Sequence, residues 1–207
     1  MLVSTSFLSS KNIPRDLEKL NETDTDYIHV DIMDGKFVKN KTMPFSEMKN
    51  IYKYTSKRLD VHLMVKNVEK YIKDYVTLNT EFISFHIETE NVLENLNLIK
   101  KHGIKSGLAI KPNTEVKELV PYLPLLDIVI VMSVEPGLGG QEFISETEEK
   151  INELRVLLDE YDSNALISVD GGVNKNTKNK CFNADILVSG SYIINDSNFQ
   201  ERINNLR

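Results

Sequence analysis

Hydrophobic positions along the chain fall into two alternating kinds of segment. The segments between the apolar runs carry hydrophobic residues at helical spacing, and several begin near Asn, Ser or Thr, which are favourable N-cap residues. The apolar runs themselves are rich in Val, Ile, Leu and Phe and predict eight strands, at residues 2–8, 27–33, 59–65, 82–88, 106–111, 127–134, 165–171 and 185–192. Strand and helix alternating eight times is typical of a parallel sheet with crossover helices, so we predict a (β/α)8 TIM barrel of the α/β class.

The predicted elements follow one another without an interruption. No stretch rich in Pro, Gly or Ser separates two groups of elements, and we expect residues 1–207 to form a single (β/α)8 barrel domain. This length is near the lower end of the range for the fold, so the loops must be short. The alternative architecture is an open doubly wound sheet, but its GxGxxG fingerprint is absent after the first strand.

Charge and composition exclude several kinds of partner. The chain carries 25 Lys and Arg against 31 Asp and Glu, a net charge of -6, with no basic run, so we expect no nucleic-acid partner. No apolar run reaches the roughly 20 residues that cross a bilayer, so we expect no membrane partner. Cys181 is the single cysteine and is expected to be a packing residue. The first residues lack the basic start and long apolar core of a signal peptide, and we predict a cytoplasmic location.

Acidic and imidazole side chains recur on one face of successive predicted strands. His29 and Asp31 point to the same side of the second strand, as do Asp60 and His62 in the third. In a barrel that side is the interior, where an unpaired polar group is costly. Asp170 ends the seventh strand, directly before two glycines. Because this fold places its chemistry at the C-terminal ends of the strands, these residues predict a shared site, and metal coordination would satisfy them together.

Other polar and soft apolar residues stand near the same strand ends. His86 and Glu88 share a face of the fourth predicted strand, while Asp34 precedes Gly35 on the face opposite Asp31, which predicts a turn or capping role. Three methionines are either ordinary core residues or an apolar lid over the site: Met33, Met64 and Met132.

Glycines cluster after the last three predicted strands. The sequence EPGLGGQ follows the sixth strand, DGGVN the seventh and SGSY the end of the eighth. Glycines let backbone N–H groups converge on an anion, and the loops after strands seven and eight are the usual phosphate site of a TIM barrel. One such loop alone could be a tight turn, but three on neighbouring strands favour phosphate binding.

The ordered motifs of this chain resemble those of the ribulose-phosphate 3-epimerase family. They are HVDIMDGKFV, DVHLMV, FHIE, GLAIKPNT, VMSVEPGLGGQEF, VDGGVN and VSGSYI, and they cover nearly the whole chain. The resemblance implies a barrel that binds one divalent metal ion and interconverts D-ribulose 5-phosphate and D-xylulose 5-phosphate. By matching position it implies Asp31 and Asp170 as the acid/base pair and His29, Asp31, His62 and Asp170 as metal ligands. The implied contacts to the substrate and its phosphate are Ser6, His62, Gly137, Leu138, Gly139, Gly140, Gly171, Gly172, Gly190 and Ser191.

The resemblance leaves the metal and the exact substrate open. Two imidazoles with two carboxylates suit Zn, Fe(II), Mn or Co. A small-molecule sugar phosphate is the implied partner, and a homo-oligomer the implied assembly. Thr5 and Lys11 stand where the family has Pro and Asp, and FVKNKTMPF replaces its usual FVPNxTFGP, which puts substrate preference in question.

Two other functions remain as alternatives, and the sequence argues against a third. The nearest is a 3-epimerase of a hexulose phosphate such as D-allulose 6-phosphate, and another is a metal- or phosphate-binding barrel without catalysis. A decarboxylase or aldolase-like barrel would need a lysine beside the acids, as in DxKxxD, where this chain reads DIMD.

Overall fold

Eight parallel strands close into a barrel in a computed structural model that describes residues 1–207. Neighbouring strands pair in sequence order, and the eighth pairs back onto the first. The strands are β1 (Leu2–Ser6), β2 (Tyr27–Met33), β3 (Leu59–Met64), β4 (Thr80–His86), β5 (Lys105–Ile110), β6 (Ile128–Met132), β7 (Leu166–Asp170) and β8 (Ile186–Ser189). The predicted (β/α)8 barrel is therefore confirmed.

Helices connect the strands, and the last two helices follow β8. They are α1 (Ile13–Asn21), α2 (Phe45–Met48), α3 (Val68–Tyr75), α4 (Val92–Lys101), α5 (Thr147–Glu160), α6 (Ser191–Ile194) and α7 (Phe199–Asn204). The predicted asparagine caps are present at α1 and α3, where the side chains of Asn12 and Asn67 accept hydrogen bonds from the backbone N–H groups of Arg15 and Lys70. None of the helices is both long enough and apolar enough to cross a bilayer.

Three connecting segments with helical patterning are 3₁₀ helices in whole or in part. They are Lys49–Lys53, Val116–Leu125 and Lys178–Cys181. The segment between β5 and β6 contains Pro121 and Pro124, which have no N–H to donate and cannot continue an α-helix. Tighter connections of this kind let a chain of 207 residues complete the barrel.

The outer faces of the strands and the inner faces of the helices form one core of 44 buried residues. Inside the barrel, Phe82, Ile128 and Ile186 form a separate apolar group. These three residues lie at or near the first residue of their strands, so they fill the N-terminal end of the barrel. The opposite end carries polar side chains together with Met33, Met64 and Met132, the last residues of their strands.

Strand register brings the predicted polar residues to one level of the barrel. In the β2–β3 pair, Asp31 is the partner of His62, and Met33 is the partner of Met64. In the β6–β7 pair, Met132 is the partner of Asp170. These residues lie at or near the C-terminal ends of their strands, which is where this fold carries its chemistry.

Candidate metal centre and substrate cavity

Four side chains from three strands meet at the mouth of the barrel. His29, Asp31, His62 and Asp170 each offer one ligand atom, and these atoms all lie within 4.8 Å of one another. The Nε2 atom of His29 is 3.4 Å from Asp31 Oδ1 and 3.5 Å from Asp170 Oδ2. The Nδ1 atom of His62 is 3.7 Å from Asp31 Oδ1 and 3.4 Å from Asp170 Oδ2. The structure therefore brings the four predicted ligands together.

The chemistry of this cluster fits a divalent cation. His29 Nε2 and His62 Nδ1 are buried and have no hydrogen-bond partner in the protein. Such atoms are costly unless a ligand satisfies them. Nitrogen and oxygen ligands at about 2.0 to 2.1 Å from a tetrahedral metal ion are about 3.3 Å apart, close to the separations between these side chains. The four residues could therefore hold one ion without rearrangement of the strands.

Within the cluster the pKa values of the two aspartates are lowered and the pKa of His29 is raised. Burial raises the pKa of Asp31, but the imidazoles of His29 and His62 lower it more, so it lies below its usual range. Burial raises the pKa of Asp170, but the same two imidazoles, whose nitrogens lie 3.4 to 3.5 Å from its carboxylate, lower it more. Burial lowers the pKa of His29, but Asp60 and Asp31 raise it well above its usual value. Without a metal ion the carboxylates are therefore ionised and His29 favours its protonated form, so binding of a cation would release a proton from this imidazole.

A second set of hydrogen bonds orients the side chains of the cluster. The Nδ1 atom of His29 lies 2.8 Å from Asp60 Oδ2, and the Ser4 hydroxyl donates to the same oxygen at 2.8 Å. The Ser6 hydroxyl donates to Asp31 Oδ2 at 2.7 Å. The sequence places Asp60 on the interior face but gives it no role. The sequence feature that could have indicated this role is the position of Asp60 two residues before His62, on the same interior face, because a carboxylate inside a barrel needs a partner.

His62 has a different kind of outer partner. Its Nε2 atom lies 3.0 Å from His86 Nε2, and His86 Nδ1 lies 3.1 Å from Glu88 Oε2. Burial lowers the pKa of His86 to about 4, so its ring is neutral near pH 7. Strand β4 ends at His86, so Glu88, which the strand prediction included, lies in the loop that follows.

A cavity of about 310 Å³ opens above the cluster. Fourteen of the predicted site residues line it: Ser6, Asp31, Met33, Met64, Met132, Gly137, Leu138, Gly139, Gly140, Asp170, Gly171, Gly172, Gly190 and Ser191. His29 and His62 do not line the cavity, because both are fully buried beneath it. A substrate in the cavity would therefore reach the two carboxylates before it reached either imidazole.

Several polar residues that line the cavity were not predicted. They are Ser9, Gln141, Asn174, Tyr192 and Asn195. Each stands within five residues of a predicted site residue, in the loops after β1, β6 and β7 or in and directly after helix α6. Their position near the glycine motifs is the signal that sequence reasoning could have used.

Six glycines line the cavity. Gly171 and Gly172 have φ angles of +124° and +64°, which L side chains rarely adopt. The N–H groups of Gly171, Gly172 and Gly190 donate to no backbone carbonyl of the protein. A rim with such N–H groups suits an anion such as a phosphate group.

Asp34 has the turn role that its position predicts. Its Oδ1 atom accepts hydrogen bonds from the backbone N–H groups of Lys36 and Phe37, and Oδ2 accepts from that of Lys66. Burial raises the pKa of Asp34, but these three bonds lower it below the usual value. Asp34 thus fixes the loop after β2 against the end of β3. Cys181 is buried, which agrees with a packing role.

The fold and this site define a class of protein. A closed (β/α)8 barrel that carries a histidine–aspartate group and a glycine-rich rim at the C-terminal ends of its strands has the architecture of a TIM-barrel enzyme. Two solved structures with this fold are similar to the chain. Tryptophan synthase from Mycobacterium tuberculosis has a TM-score of 0.70, 13% identity and coverage of 99% of this chain and 90% of that chain. A 3-hexulose-6-phosphate synthase has a TM-score of 0.67, 13% identity and coverage of 100% and 98%.

Sequence comparison identifies the family. The model of the ribulose-phosphate 3-epimerase family matches residues 2–194. Ribulose-phosphate 3-epimerase from Synechocystis is 36% identical over 214 residues, which cover 100% of this chain and 93% of the relative. The enzyme of the same name from Escherichia coli is 35% identical over 212 residues, with coverage of 100% and 94%. The chain therefore belongs to the ribulose-phosphate 3-epimerase family.

Proposed function

We propose that this protein is a metal-dependent epimerase that interconverts D-ribulose 5-phosphate and D-xylulose 5-phosphate. Its family membership supports the reaction class. The observation that carries the proposal is the pairing of Asp31 with Asp170: these carboxylates come from β2 and β7, border the same cavity, and lie within reach of two buried, unpartnered histidine nitrogens.

Asp31 and Asp170 are the proposed acid/base pair. Inverting a carbon next to a carbonyl requires that a proton leave one face and that a proton return to the other. Two carboxyl groups on separate strands can serve the two faces of a substrate that lies between them. One acts as the ionised base and the other as the protonated acid, and the roles exchange with the direction of the reaction. Ser6 holds the Asp31 carboxylate in place through its hydrogen bond to Oδ2.

His29, Asp31, His62 and Asp170 would hold one divalent cation, which can be Zn, Fe(II), Mn or Co. A cation at this position supplies Lewis-acid stabilisation of the negative charge that develops on the enediolate intermediate. The protein's own contribution is to hold one nitrogen of each imidazole aimed at that position.

The glycine rim would bind the phosphate group of the substrate. Backbone N–H groups of Gly171, Gly172 and Gly190 can donate to phosphate oxygens without a lysine or arginine, which suits a chain with a net charge of -6. Met33, Met64 and Met132 are nearly fully buried and line the cavity. We assign them the role of an apolar lid that excludes water from the reacting carbon. We further propose a cytoplasmic location and a homo-oligomeric assembly.

The test of this function is an epimerase assay with the purified, metal-loaded protein. Incubation with D-ribulose 5-phosphate in deuterium oxide should yield D-xylulose 5-phosphate with deuterium at carbon 3. The same assay with D-allulose 6-phosphate tests the alternative substrate, because the altered loop FVKNKTMPF after β2 puts substrate preference in question. Absence of both turnover and carbon 3 exchange with either sugar phosphate would contradict epimerisation and support a barrel that only binds metal or phosphate.

A further inference from the structure

His62 is joined to a second buried histidine on the neighbouring strand. The two Nε2 atoms of His62 and His86 are 3.0 Å apart, and the ring centroids are 5.0 Å apart. Two neutral imidazole nitrogens at this distance share one hydrogen, so one ring donates and the other accepts. Both residues are fully buried (0% exposed), so the direction of this bond is set by the protein groups beyond it.

Glu88 anchors the far end of this pair. Its Oε2 atom lies 3.1 Å from His86 Nδ1. Its Oε1 atom accepts hydrogen bonds from the Lys111 backbone N–H at 3.0 Å and from the Thr114 hydroxyl. Burial raises the pKa of Glu88, but these hydrogen bonds lower it to about 2. Glu88 is therefore an ionised group that can only accept hydrogen bonds.

The position of every hydrogen in the chain of bonds follows from this acceptor. Because Glu88 cannot donate, His86 carries its hydrogen on Nδ1 and presents the lone pair of Nε2 to His62. His62 then carries its hydrogen on Nε2, so its own lone pair is at Nδ1. That atom lies 3.7 Å from Asp31 Oδ1 and 3.4 Å from Asp170 Oδ2, at the centre of the candidate metal cluster.

We call the hydrogen-bonded series His62–His86–Glu88 the relay. Aromatic packing covers it on the side of the loop after β2. The ring of Phe37 lies against His86, with 4.8 Å between centroids, and Lys111 Nζ lies 4.4 Å from the centroid of the Phe37 ring. Hydrogen bonds shielded in this way are electrostatically stronger than bonds in water. The contact with Phe37 therefore shields the hydrogen bonds of His86 from water.

We propose that His86 and Glu88 are positioning residues that act through His62: their relay fixes the His62 tautomer in which Nδ1 is free to bind the metal ion. This inference rests on the metal centre of the proposed function. Each of the two histidine ligands then has a carboxylate that fixes its tautomer. For His29 the carboxylate of Asp60 contacts Nδ1 directly, whereas for His62 the carboxylate of Glu88 acts through His86. Partners of this kind raise the basicity of an imidazole ligand and set its orientation.

The variant Glu88→Gln tests the relay because it keeps the shape of the side chain. The Lys111 N–H requires an acceptor at the Oε1 position, so the amide should place its oxygen there and its NH₂ group towards His86. An NH₂ donor favours the lone pair of His86 at Nδ1, which reverses both tautomers and puts the hydrogen of His62 on Nδ1. We expect the dissociation constant for Zn²⁺ to rise about 10- to 100-fold. Competition titration of the full-length apoprotein against a chelator of known affinity measures this change.

The matched control is Glu81→Gln on the same strand. Glu81 stands near the N-terminal end of β4, where it pairs with Arg58 and Lys105 at the surface. Its zinc dissociation constant should equal that of the wild type. Both variants should retain a cooperative unfolding transition in the absence of metal, because a general structural defect would lower the stability of the apoprotein as well.

A second measurement needs no variant. Long-range ¹H–¹⁵N correlation spectra of the zinc-loaded wild-type protein should show His86 protonated on Nδ1 and His62 protonated on Nε2. Equal zinc affinity of wild type and Glu88→Gln, or a hydrogen on His86 Nε2, would overturn the relay. A wild-type protein that takes up no zinc would overturn the relay together with the metal-dependent function. If zinc binds with these tautomers but no sugar phosphate is epimerised, the relay stands and the proposed function fails.

Discussion

The floor and the rim of the cavity are built from opposite kinds of chemistry. The floor consists of charged and imidazole side chains that alternate along β2 and β3, together with Asp170 at the end of β7, and its histidines are fully buried. The rim includes glycines that follow β6, β7 and β8, and four of those after β6 and β7 have positive φ angles that the absence of a side chain allows. A substitution in the floor should therefore change the turnover of the enzyme more than the shape of the cavity. A substitution in the rim should change shape first.

Removal of the metal should give the largest effect, and it should act on the floor alone. Dialysis against a strong chelator is expected to abolish epimerisation, and addition of Zn, Fe(II), Mn or Co to restore it. The far-UV circular dichroism spectrum should stay the same, because the hydrophobic core of 44 residues does not include the cluster. Full activity in protein shown to be metal-free would remove the histidines from the mechanism.

The Asp170→Asn substitution should give the next largest effect. It keeps the size of the side chain but removes a group that could act as acid or base, so turnover should fall at least about 10²-fold while the fold is retained. Because Asp170 is also a candidate metal ligand, the metal content of the variant must be measured beside its kinetics. The control is Asp159→Asn on the exposed face of α5, which should leave turnover unchanged. Near-normal activity of Asp170→Asn would refute the two-aspartate assignment.

A rim substitution tests the other half of the comparison. A Cβ atom on Gly172 would lie 2.5 Å from the backbone nitrogen of Phe143, in the loop after β6, so Gly172→Ala must displace this loop. We expect the KM for the sugar phosphate to rise about tenfold or more, which corresponds to one lost hydrogen bond to a charged group. Turnover should change less than it does in Asp170→Asn, because the carboxylates stay in place. Steady-state kinetics at saturating metal separates the two parameters.

Gly103→Ala is the matched control for the rim. Gly103 has a φ angle of +73°, close to the +64° of Gly172, but a Cβ atom added there would meet no other atom within 4 Å. The substitution should cost about 1–2 kcal/mol of stability through the left-handed conformation and leave KM unchanged. An unchanged KM in Gly172→Ala, with the same loss of stability, would show that the rim does not bind the phosphate group.

Sequence predicts the floor well because strand geometry is local. Side chains two residues apart must share a face, so His29 with Asp31, and Asp60 with His62, could be assigned to the barrel interior before any contact was known. A shared metal cluster also requires Asp170 to lie at the same level of the barrel as these residues. The eightfold strand pattern predicts this, because all strands of the barrel end on the same side.

The relay of His62, His86 and Glu88 could not be predicted in the same way, and the rim could be predicted only as a set of glycine motifs. The contact of His62 with His86 depends on the register between β3 and β4, which shifts between Leu59 and Asp60. Such a shift is a long-range property of two strands and has no signature in either one. The paths of the loops that bring Asn174 and Asn195 to the cavity likewise depend on packing between segments distant in sequence. The roles assigned to individual site residues remain predictions until variants are measured.

Ser6 joins the two regions, and its substitution should have the smallest effect. Its hydroxyl donates to Asp31 Oδ2 in the floor, while its backbone lies so close to Gly190 of the rim that a Cβ atom there would be 3.1 Å from the Ser6 carbonyl oxygen. Ser6→Ala removes the contact with Asp31 and a hydrogen bond of 3.2 Å that the hydroxyl accepts from the Leu8 backbone N–H, and it keeps the contact with Gly190. Asp31 keeps its two imidazole neighbours, so we expect about 1 kcal/mol, or roughly a fivefold fall in kcat, with little change in KM. A change confined to KM would instead show that the Ser6 hydroxyl binds the substrate and does not position Asp31. Ser6 would then belong to the rim, and the floor would begin at the carboxylate of Asp31.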